Sequence, residues 1–204
     1  MAYSACTSEI KRNIQQDCQK PLVGGYTGLA ALIPVDSNYS VTQDADNPRK
    51  VVTIDCEAST VVVVDNLSVN NPFDGSNSAS SADAGVREFT KTLAFRVPQR
   101  GADVSKDIVE ALCNSRGVIA VAEKTDNRAD GKYEVIGLLQ PLKVTEDGVS
   151  RTEAENGGAV MITMQCTEPW FELNLVGDGG SGASPEYTLA GAKAAFDAII
   201  AKAV

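Results

Sequence analysis

Hydrophobic and polar residues alternate most regularly over residues 159–167. One side of this stretch carries only apolar side chains: Val160, Ile162, Met164 and Cys166. Most positions between them are polar, and a period of two is typical of a β-strand with one buried face. We therefore predict a strand here, with residues 133–139 as its partner. Beyond Pro169 the alternation continues at Phe171, Leu173 and Leu175.

Further strands are predicted where apolar residues alternate, or where β-branched residues cluster between turn residues. They cover residues 28–35, 51–56, 60–64, 86–97 and 118–124. The fourth of these has one apolar face, formed by Phe89, Leu93, Phe95 and Val97. Lys91 falls on the same face, so we expect the end of the strand that carries it to be exposed.

An interior helix is predicted at residues 104–116, because Val104, Ile108 and Leu112 recur at helical spacing. Asp103 is suited to cap the start of this helix. Gly117 is suited to the left-handed backbone conformation that commonly ends a helix. A weaker helical pattern covers residues 8–18.

A C-terminal helix is predicted at residues 186–204, after Ser184 and Pro185, which together favour a helix start. Its apolar stripe consists of Leu189, Phe196, Ile199 and Ile200. An isolated helix of this size is marginally stable in water. We therefore expect it to dock, either on its own domain or on a neighbouring subunit.

The chain of 204 residues is divided by a change of composition near its end. Residues 1–176 have the size of one domain, residues 177–185 form a Gly- and Ser-rich linker, and residues 186–204 form the final helix. Two polar stretches, residues 70–85 and 145–158, are predicted to be long loops. The fold class is mainly β, of the α+β type, with mostly antiparallel strands.

Charge and composition limit the partners that we expect. The formal net charge is −9, which disfavours wrapping around nucleic acid or lying on an anionic membrane. No apolar run approaches the roughly 20 residues that a bilayer-spanning helix needs, and the N-terminus lacks the apolar segment of a signal peptide. Aromatic residues make up 5% of the chain, so aliphatic side chains must fill most of the core.

The five cysteines form no closely spaced pair, which indicates a reducing compartment. Cys56, Cys113 and Cys166 fall on apolar faces of predicted elements, where a free thiol behaves as a small hydrophobic group. The pattern does not distinguish free thiols from a disulfide for Cys6 and Cys18.

Candidate chemistry is sparse, because the chain contains no histidine. This excludes Ser-His-Asp and Cys-His nucleophile systems and histidine-based metal sites. Asp44/Asp46 and Asp126/Asp130 are candidates for calcium binding, and Glu153/Glu155 is a candidate for acid–base catalysis. The first two pairs lack the order of a calcium loop, so we predict turn residues there and solvated loop at Glu153/Glu155. We predict no catalytic residue, no cofactor and no metal.

Trp170 is the single tryptophan and follows Pro169 at the end of a predicted strand. Tryptophan is enriched at interfaces, so Trp170 is a candidate contact residue. It could equally close one end of the core.

Three segments resemble a family of virion structural proteins, described as tail or tail-tube-like, from phages and prophages of Bacteroides-type bacteria. They are DCQKPLVGG at residues 17–25, TLAFRVPQRGADVSKDIVEAL at residues 92–112, and the segment from YEVIGLLQPLKV to WFELNL at residues 133–175. Together the resemblance spans most of residues 5–176.

This resemblance implies an antiparallel β-sandwich or small barrel with one flanking helix. It implies a non-enzymatic subunit that assembles, usually as hexameric rings, into a tube through which DNA passes without specific binding. The partners would be copies of itself and other virion tail proteins, assembled in the cytoplasm of the bacterial host, with the virion as final location. Candidate subunit contacts are Trp170, Phe171, Phe196, Ile199 and Ile200.

Two other classes of function are compatible with the residues. The first is a monomeric β-sandwich binding module for a carbohydrate or protein ligand, which the scarcity of aromatic residues disfavours. The second is an enzyme that uses carboxylates, which the absence of histidine and of a recognisable constellation disfavours.

Overall fold

The computed structural model describes residues 25–65, 74–79, 88–99, 101–151, 158–178 and 187–203. Its strands are β1 (Tyr26–Pro34), β2 (Tyr39–Gln43), β3 (Lys50–Cys56), β4 (Val62–Asp65), β5 (Asp74–Ala79), β6 (Phe89–Val97), β7 (Val118–Lys124), β8 (Tyr133–Ile136), β9 (Lys143–Arg151), β10 (Val160–Glu168) and β11 (Asn174–Leu175). Its helices are α1 (Ala102–Val104), a π-helical segment (Ser105–Glu110), α2 (Ala111–Asn114) and α3 (Leu189–Ile200).

The strands form two sheets. The large sheet has the order β2-β3-β11-β8-β7-β1-β4, and the small sheet has the order β5-β6-β10-β9. Neighbouring strands are antiparallel except β11 and β3, which are parallel. The predicted mainly β fold of the α+β type is confirmed.

The central strands of the large sheet, β1, β7 and β8, are buried on both faces. The first face of this sheet packs against the small sheet, α2 and the π-helical segment, through residues that include Leu32, Ala120, Ile136, Phe95, Ile162 and Val109. Its second face packs against α3, through residues that include Ile33, Ile119, Val135, Leu175, Phe196 and Ile199. Burial on both faces explains why β1, β7 and β8 consist of nearly continuous apolar runs, whereas β6 and β10 alternate.

The predicted helix at residues 104–116 is present with different ends, since helical residues run from Ala102 to Asn114. Val104, Ile108 and Leu112 pack against the first cluster, as their spacing predicts. Asp103 does not cap this helix. The N-cap residue is Gly101, which has no side chain that could cap the helix.

Gly117 does adopt a positive φ, of 125°, just after this helix. A Cβ atom there would lie 2.6 Å from Pro141 Cβ and 2.9 Å from the Leu142 carbonyl oxygen. Glycine is therefore required both by the backbone conformation and by the close approach of the neighbouring chain.

The C-terminal helix begins at Leu189, three residues later than predicted. Thr188 is its N-cap, and the Thr188 hydroxyl accepts a hydrogen bond from the Gly191 amide at 3.0 Å. The predicted start at Ser184 and Pro185 lies outside the described residues. Within the described residues, no helix has both the length and the apolar character needed to cross a bilayer.

Both predicted long loops contain strands. β5 lies within residues 70–85, and its polar sequence DGSNSA pairs in register with β6 from Asp74–Ala94 to Ala79–Phe89. β9 covers the first half of residues 145–158, where a register shift against β10 interrupts the alternation. These two strands form because their backbones pair with a neighbouring strand. Backbone pairing does not require alternating hydrophobic side chains, so the sequence does not reveal it.

The predicted partner of β10 was also wrong. β10 pairs with β6 and β9 in the small sheet, whereas Tyr133–Ile136 pairs with β7 and β11 in the large sheet. The antiparallel return of β8 against β7 is confirmed. The predicted helix at residues 8–18 and most of the linker at residues 177–185 lie outside the described residues.

Candidate functional site

Among the described residues, three charged side chains lie inside the protein, between the two sheets. Lys91 on β6 and Glu168 on β10 have no exposed surface, and Glu134 on β8 is 1% exposed. We call Lys91, Glu134 and Glu168 the buried charge cluster. The sequence-based expectation that the Lys91 end of β6 is exposed is therefore wrong, because two carboxylates accompany the ammonium group inside the protein.

Strand register places the members of the cluster on facing surfaces. On the small sheet, Lys91 pairs with Cys166, and Glu168 pairs with Phe89. Lys91 and Glu168 are thus diagonal neighbours on the inward face. Glu134 approaches from the opposing sheet, on the same side of β8 as Ile136, which belongs to the first cluster of the core.

The ammonium group of Lys91 contacts both carboxylates. Its Nζ lies 3.0 Å from Glu168 Oε2 and 4.0 Å from Glu134 Oε1. Among the described residues, neither Lys91 Nζ nor Glu168 Oε2 has a hydrogen-bond partner, so their 3.0 Å approach is an ion contact away from the hydrogen-bonding direction. The other oxygen, Glu168 Oε1, accepts a hydrogen bond from the Leu139 amide at 3.0 Å.

Glu134 is held from its own sheet. The Tyr26 hydroxyl donates a hydrogen bond of 2.9 Å to Glu134 Oε2, and Lys124 Nζ lies 3.0 Å from the same oxygen. Lys124 also binds Glu172. Burial alone would lower the pKa of Lys124, but Glu134 and Glu172 outweigh it, so the net pKa of Lys124 is raised and the side chain stays charged.

Cys166 lies on the same inward face and supplies no nucleophile at neutral pH. Burial, with a further contribution from the Glu168 charge, raises the pKa of its thiol to about 12. Burial and Asp55 likewise raise the pKa of Cys56. Both thiols are buried, as predicted, whereas Cys113 is exposed, contrary to its predicted place on an apolar face. Cys6 and Cys18 lie outside the described residues.

The surface depressions lined by described residues include the following three. One of about 400 Å³ lies over β9 and β10 and is lined by Gln140, Pro141, Lys143, Gln165, Cys166 and Thr167. One of about 350 Å³ lies beside β2 and β3 and includes Asn38, Tyr39, Glu57 and Lys202. One of about 200 Å³ is an apolar groove between β4 and β6, bordered by Ile108 and Leu112. None of the three is lined by a member of the buried charge cluster.

Two of the acidic pairs act as turn residues, as predicted. Asp44 accepts backbone hydrogen bonds from Asp46 at 2.9 Å and from Asn47 at 2.6 Å. Asp126 accepts one from Arg128 at 3.2 Å. In the described part of the chain, no three Cys, Asp or Glu side chains come together as metal ligands. Glu153 and Glu155 lie outside it.

The five candidate contact residues have different environments. Trp170 is half-buried and packs against the second cluster of the core, as does Ile200. Phe196 and Ile199 are each 1% exposed, because α3 docks on the large sheet of its own chain. They therefore present almost no surface to a neighbouring subunit.

Phe171 differs from the other candidates because it is 50% exposed. Its ring meets Phe89 edge-on, with ring centroids 5.4 Å apart. Leu139, which is 46% exposed, donates its amide hydrogen to Glu168. Phe171 and Leu139 are thus each connected to the small sheet near Glu168, Phe171 through Phe89, which pairs with Glu168, and Leu139 through its amide.

Sequence reasoning missed the buried charge cluster, although a pattern for it exists. Each of its members interrupts an otherwise apolar strand face: Lys91 in β6, Glu134 in β8 and Glu168 in β10. Opposite charges on apolar faces of separate strands can compensate each other if those faces meet. Their meeting depends on strand order, which the sequence pattern does not give.

Comparisons of the chain with family models, with curated proteins and with solved structures gave no match.

Proposed function

We propose that this chain is a structural subunit of a phage virion, similar to a tail-tube protein, that assembles with copies of itself into stacked rings. The observation that carries the proposal is the exposure of apolar residues on terminal strands. Val62 on β4 is 38% exposed and Val149 on β9 is 40% exposed, and these strands end the large and small sheets. An exposed terminal strand with β-branched residues is suited to pair with another chain.

Two exposed apolar side chains offer further contacts for a neighbouring subunit. Phe171 and Leu139 are about half exposed, and they lie on the segments that follow β10 and β8. Apolar side chains of this size lose water favourably when a neighbouring subunit covers them. We assign Phe171 to a subunit contact on this basis.

Charge supports the proposed passage of DNA. A net charge of −9 gives the ring an acidic character, so a lumen lined by such a surface repels phosphates and lets DNA pass without binding. Hexameric symmetry and other tail proteins as partners follow from the resemblance.

The test is native mass spectrometry combined with negative-stain microscopy over a series of protein concentrations. We expect rings or stacked tubes. A strict monomer at high concentration would contradict assembly and favour the monomeric binding module.

A matched pair of variants locates the contact. Val149→Lys places a charge on the terminal strand β9, and we expect it to reduce assembly. Thr53→Lys adds the same charge at an exposed position of β3, which is paired on both sides by β2 and β11, and should assemble normally. Equal assembly of the two variants would exclude β9 as the pairing edge.

A further inference from the structure

We propose that Lys91 and Glu168 condense spontaneously into an amide bond that cross-links β6 to β10. The reacting groups are already in contact, with Nζ 3.0 Å from Oε2, and neither side chain has any exposed surface. This proposal is independent of ring assembly, because every group that it uses belongs to one chain.

The reaction needs no further reagent. The Lys91 ammonium and the Glu168 carboxylate together contain the atoms of one amide and one water molecule. The bond from Nζ to Cδ forms, the bond from Cδ to Oε2 breaks, and Oε2 leaves as water with two protons from the ammonium group. No electron is gained or lost.

The two oxygens of Glu168 are suited to different roles. Oε1 accepts a hydrogen bond from the Leu139 amide at 3.0 Å, so this donor stabilises the negative charge that develops on Oε1 when Nζ adds to Cδ. Oε2 has no hydrogen-bond partner among the described residues and faces Nζ, which is the arrangement expected for the leaving oxygen.

Glu134 is placed to carry protons between the reacting groups. Its Oε1 lies 4.0 Å from Lys91 Nζ, and Glu134 reaches Lys91 from the large sheet. Its Oε2 is held by the Tyr26 hydroxyl and by Lys124, which fixes the direction of Oε1. A shift of about 1 Å would bring Glu134 Oε1 within hydrogen-bonding distance of Nζ, where it can take a proton and pass it to the departing oxygen.

Burial favours the reaction in two ways. A dry interior disfavours charged groups, so transfer of a proton from ammonium to carboxylate gives the neutral amine and acid that react. It also excludes bulk water, which would otherwise drive the equilibrium towards hydrolysis. Two neighbouring groups held in one orientation react with an effective concentration far above that of free molecules.

The product also removes an unfavourable feature of the fold. Lys91 Nζ and Glu168 Oε2 are buried polar atoms without hydrogen bonds among the described residues. Such atoms are rare in native proteins, and each calls for an explanation. Condensation consumes both, because one becomes an amide nitrogen and the other leaves as water.

The decisive measurement is the intact mass of the full chain, purified, reduced and denatured. We expect a mass lower than that of the sequence by one water molecule. Proteolysis followed by tandem mass spectrometry should give a branched peptide that joins Lys91 to Glu168. A mass equal to that of the sequence, without a branched peptide, would overturn the proposal and leave a simple buried ion pair.

Three variants assign the roles. Lys91→Arg cannot form the amide and should have its full sequence mass, and a persisting loss of water would place the bond elsewhere and overturn the assignment. Glu134→Gln keeps both reacting groups, and we expect the full mass or slowed condensation; condensation at the rate of the natural chain would overturn the role of Glu134. Lys193→Arg, at an exposed position on α3, should still lose one water.

Folding of the variants is checked by circular dichroism. If Lys91→Arg or Glu134→Gln does not fold, the branched peptide of the natural chain still decides whether the bond exists. For Glu134, time-resolved mass spectrometry of the natural chain during refolding at different pH values replaces the variant. A rate that is constant across the range in which a carboxylate titrates would exclude a carboxylate proton carrier.

Discussion

The Tyr133 ring on β8 stacks against the Phe196 ring on α3, with ring centroids 4.5 Å apart and an angle of 28° between the planes. Phe196 is 1% exposed and Tyr133 is 3% exposed. This pair joins the C-terminal helix to the second face of the large sheet. α3 is therefore the third layer of the fold, over apolar residues such as Val135 and Leu175.

Replacing Phe196 with alanine should destabilise the whole domain. We expect Phe196→Ala to reduce the free energy of unfolding by about 3–5 kcal/mol, because it leaves a cavity under α3. Urea unfolding followed by circular dichroism measures this loss. Lys193→Ala is the control, since it removes an exposed contact with Asp197 and should cost about 0.5 kcal/mol or less. Equal stability of the two variants would contradict docking of α3 through Phe196.

Tyr133 should make the stability sensitive to alkaline pH. Burial, together with the charges of Glu123 and Asp197, raises the pKa of Tyr133 from 10 to about 12. The unfolded chain therefore loses this proton first as the pH rises. The contribution of Tyr133 is complete below pH 10 and is lost between pH 10 and about 12.

The variant Tyr133→Phe keeps the stacked ring and removes the titrating hydroxyl. We expect its free energy of unfolding to fall less than that of the natural chain between pH 10 and 12, as measured by urea unfolding at several pH values. Below pH 9 the difference between the two proteins should not change with pH. Parallel curves over the alkaline range would refute the assignment.

Gly101 and Gly117 lie at the two ends of one helical region. Alanine at each position distinguishes the cost of a positive φ from the cost of a steric collision. Both have positive φ, of 125° and 134°, so alanine at either position should cost about 1–3 kcal/mol of folding free energy. A Cβ atom at Gly101 meets nothing within 4 Å, whereas one at Gly117 collides with Pro141. Gly117→Ala should therefore cost clearly more than Gly101→Ala in thermal unfolding. Similar losses would show that the collision is relieved without cost.

Phe171 should affect assembly more than stability. It is 50% exposed, so Phe171→Ser removes about half of the burial that a core phenylalanine would lose. We expect a loss of about 1–2 kcal/mol in folding free energy, from that burial and from the edge-on contact with Phe89. Sedimentation velocity should show weaker self-association. Leu189→Ser, at a 39% exposed position on α3, should leave association unchanged.

The sequence predicts strands well where a side-chain pattern forms them. The alternation of β6 and β10 and the apolar runs of β1 and β7 follow from burial, so their presence was predictable. β5 contains no large apolar residue, and its strand forms through backbone pairing with β6. The pairing of β10 with β6 depends on contacts between distant segments, which periodicity does not record.

The burial of Lys91 also depends on contacts between segments that are distant in the sequence. Lys91 on an apolar face predicts an exposed strand end when β6 is considered alone. Its burial depends on Glu168 in the neighbouring strand and Glu134 in the opposing sheet. The sequence allows α3 to dock either on its own domain or on a neighbouring subunit. The contact between Phe196 and Tyr133 shows that it docks on its own domain.

The position of β11 constrains how this protein can fold during synthesis. β11 lies between β3 and β8 in the large sheet, and Leu175 pairs with both Val51 and Tyr133. A ribosome must therefore release the chain as far as Leu175 before the hairpin of β2 and β3 can join the remaining strands at this place. Until then, the hairpin of β2 and β3 exposes apolar surface to solvent. Binding by a chaperone would protect this intermediate from aggregation.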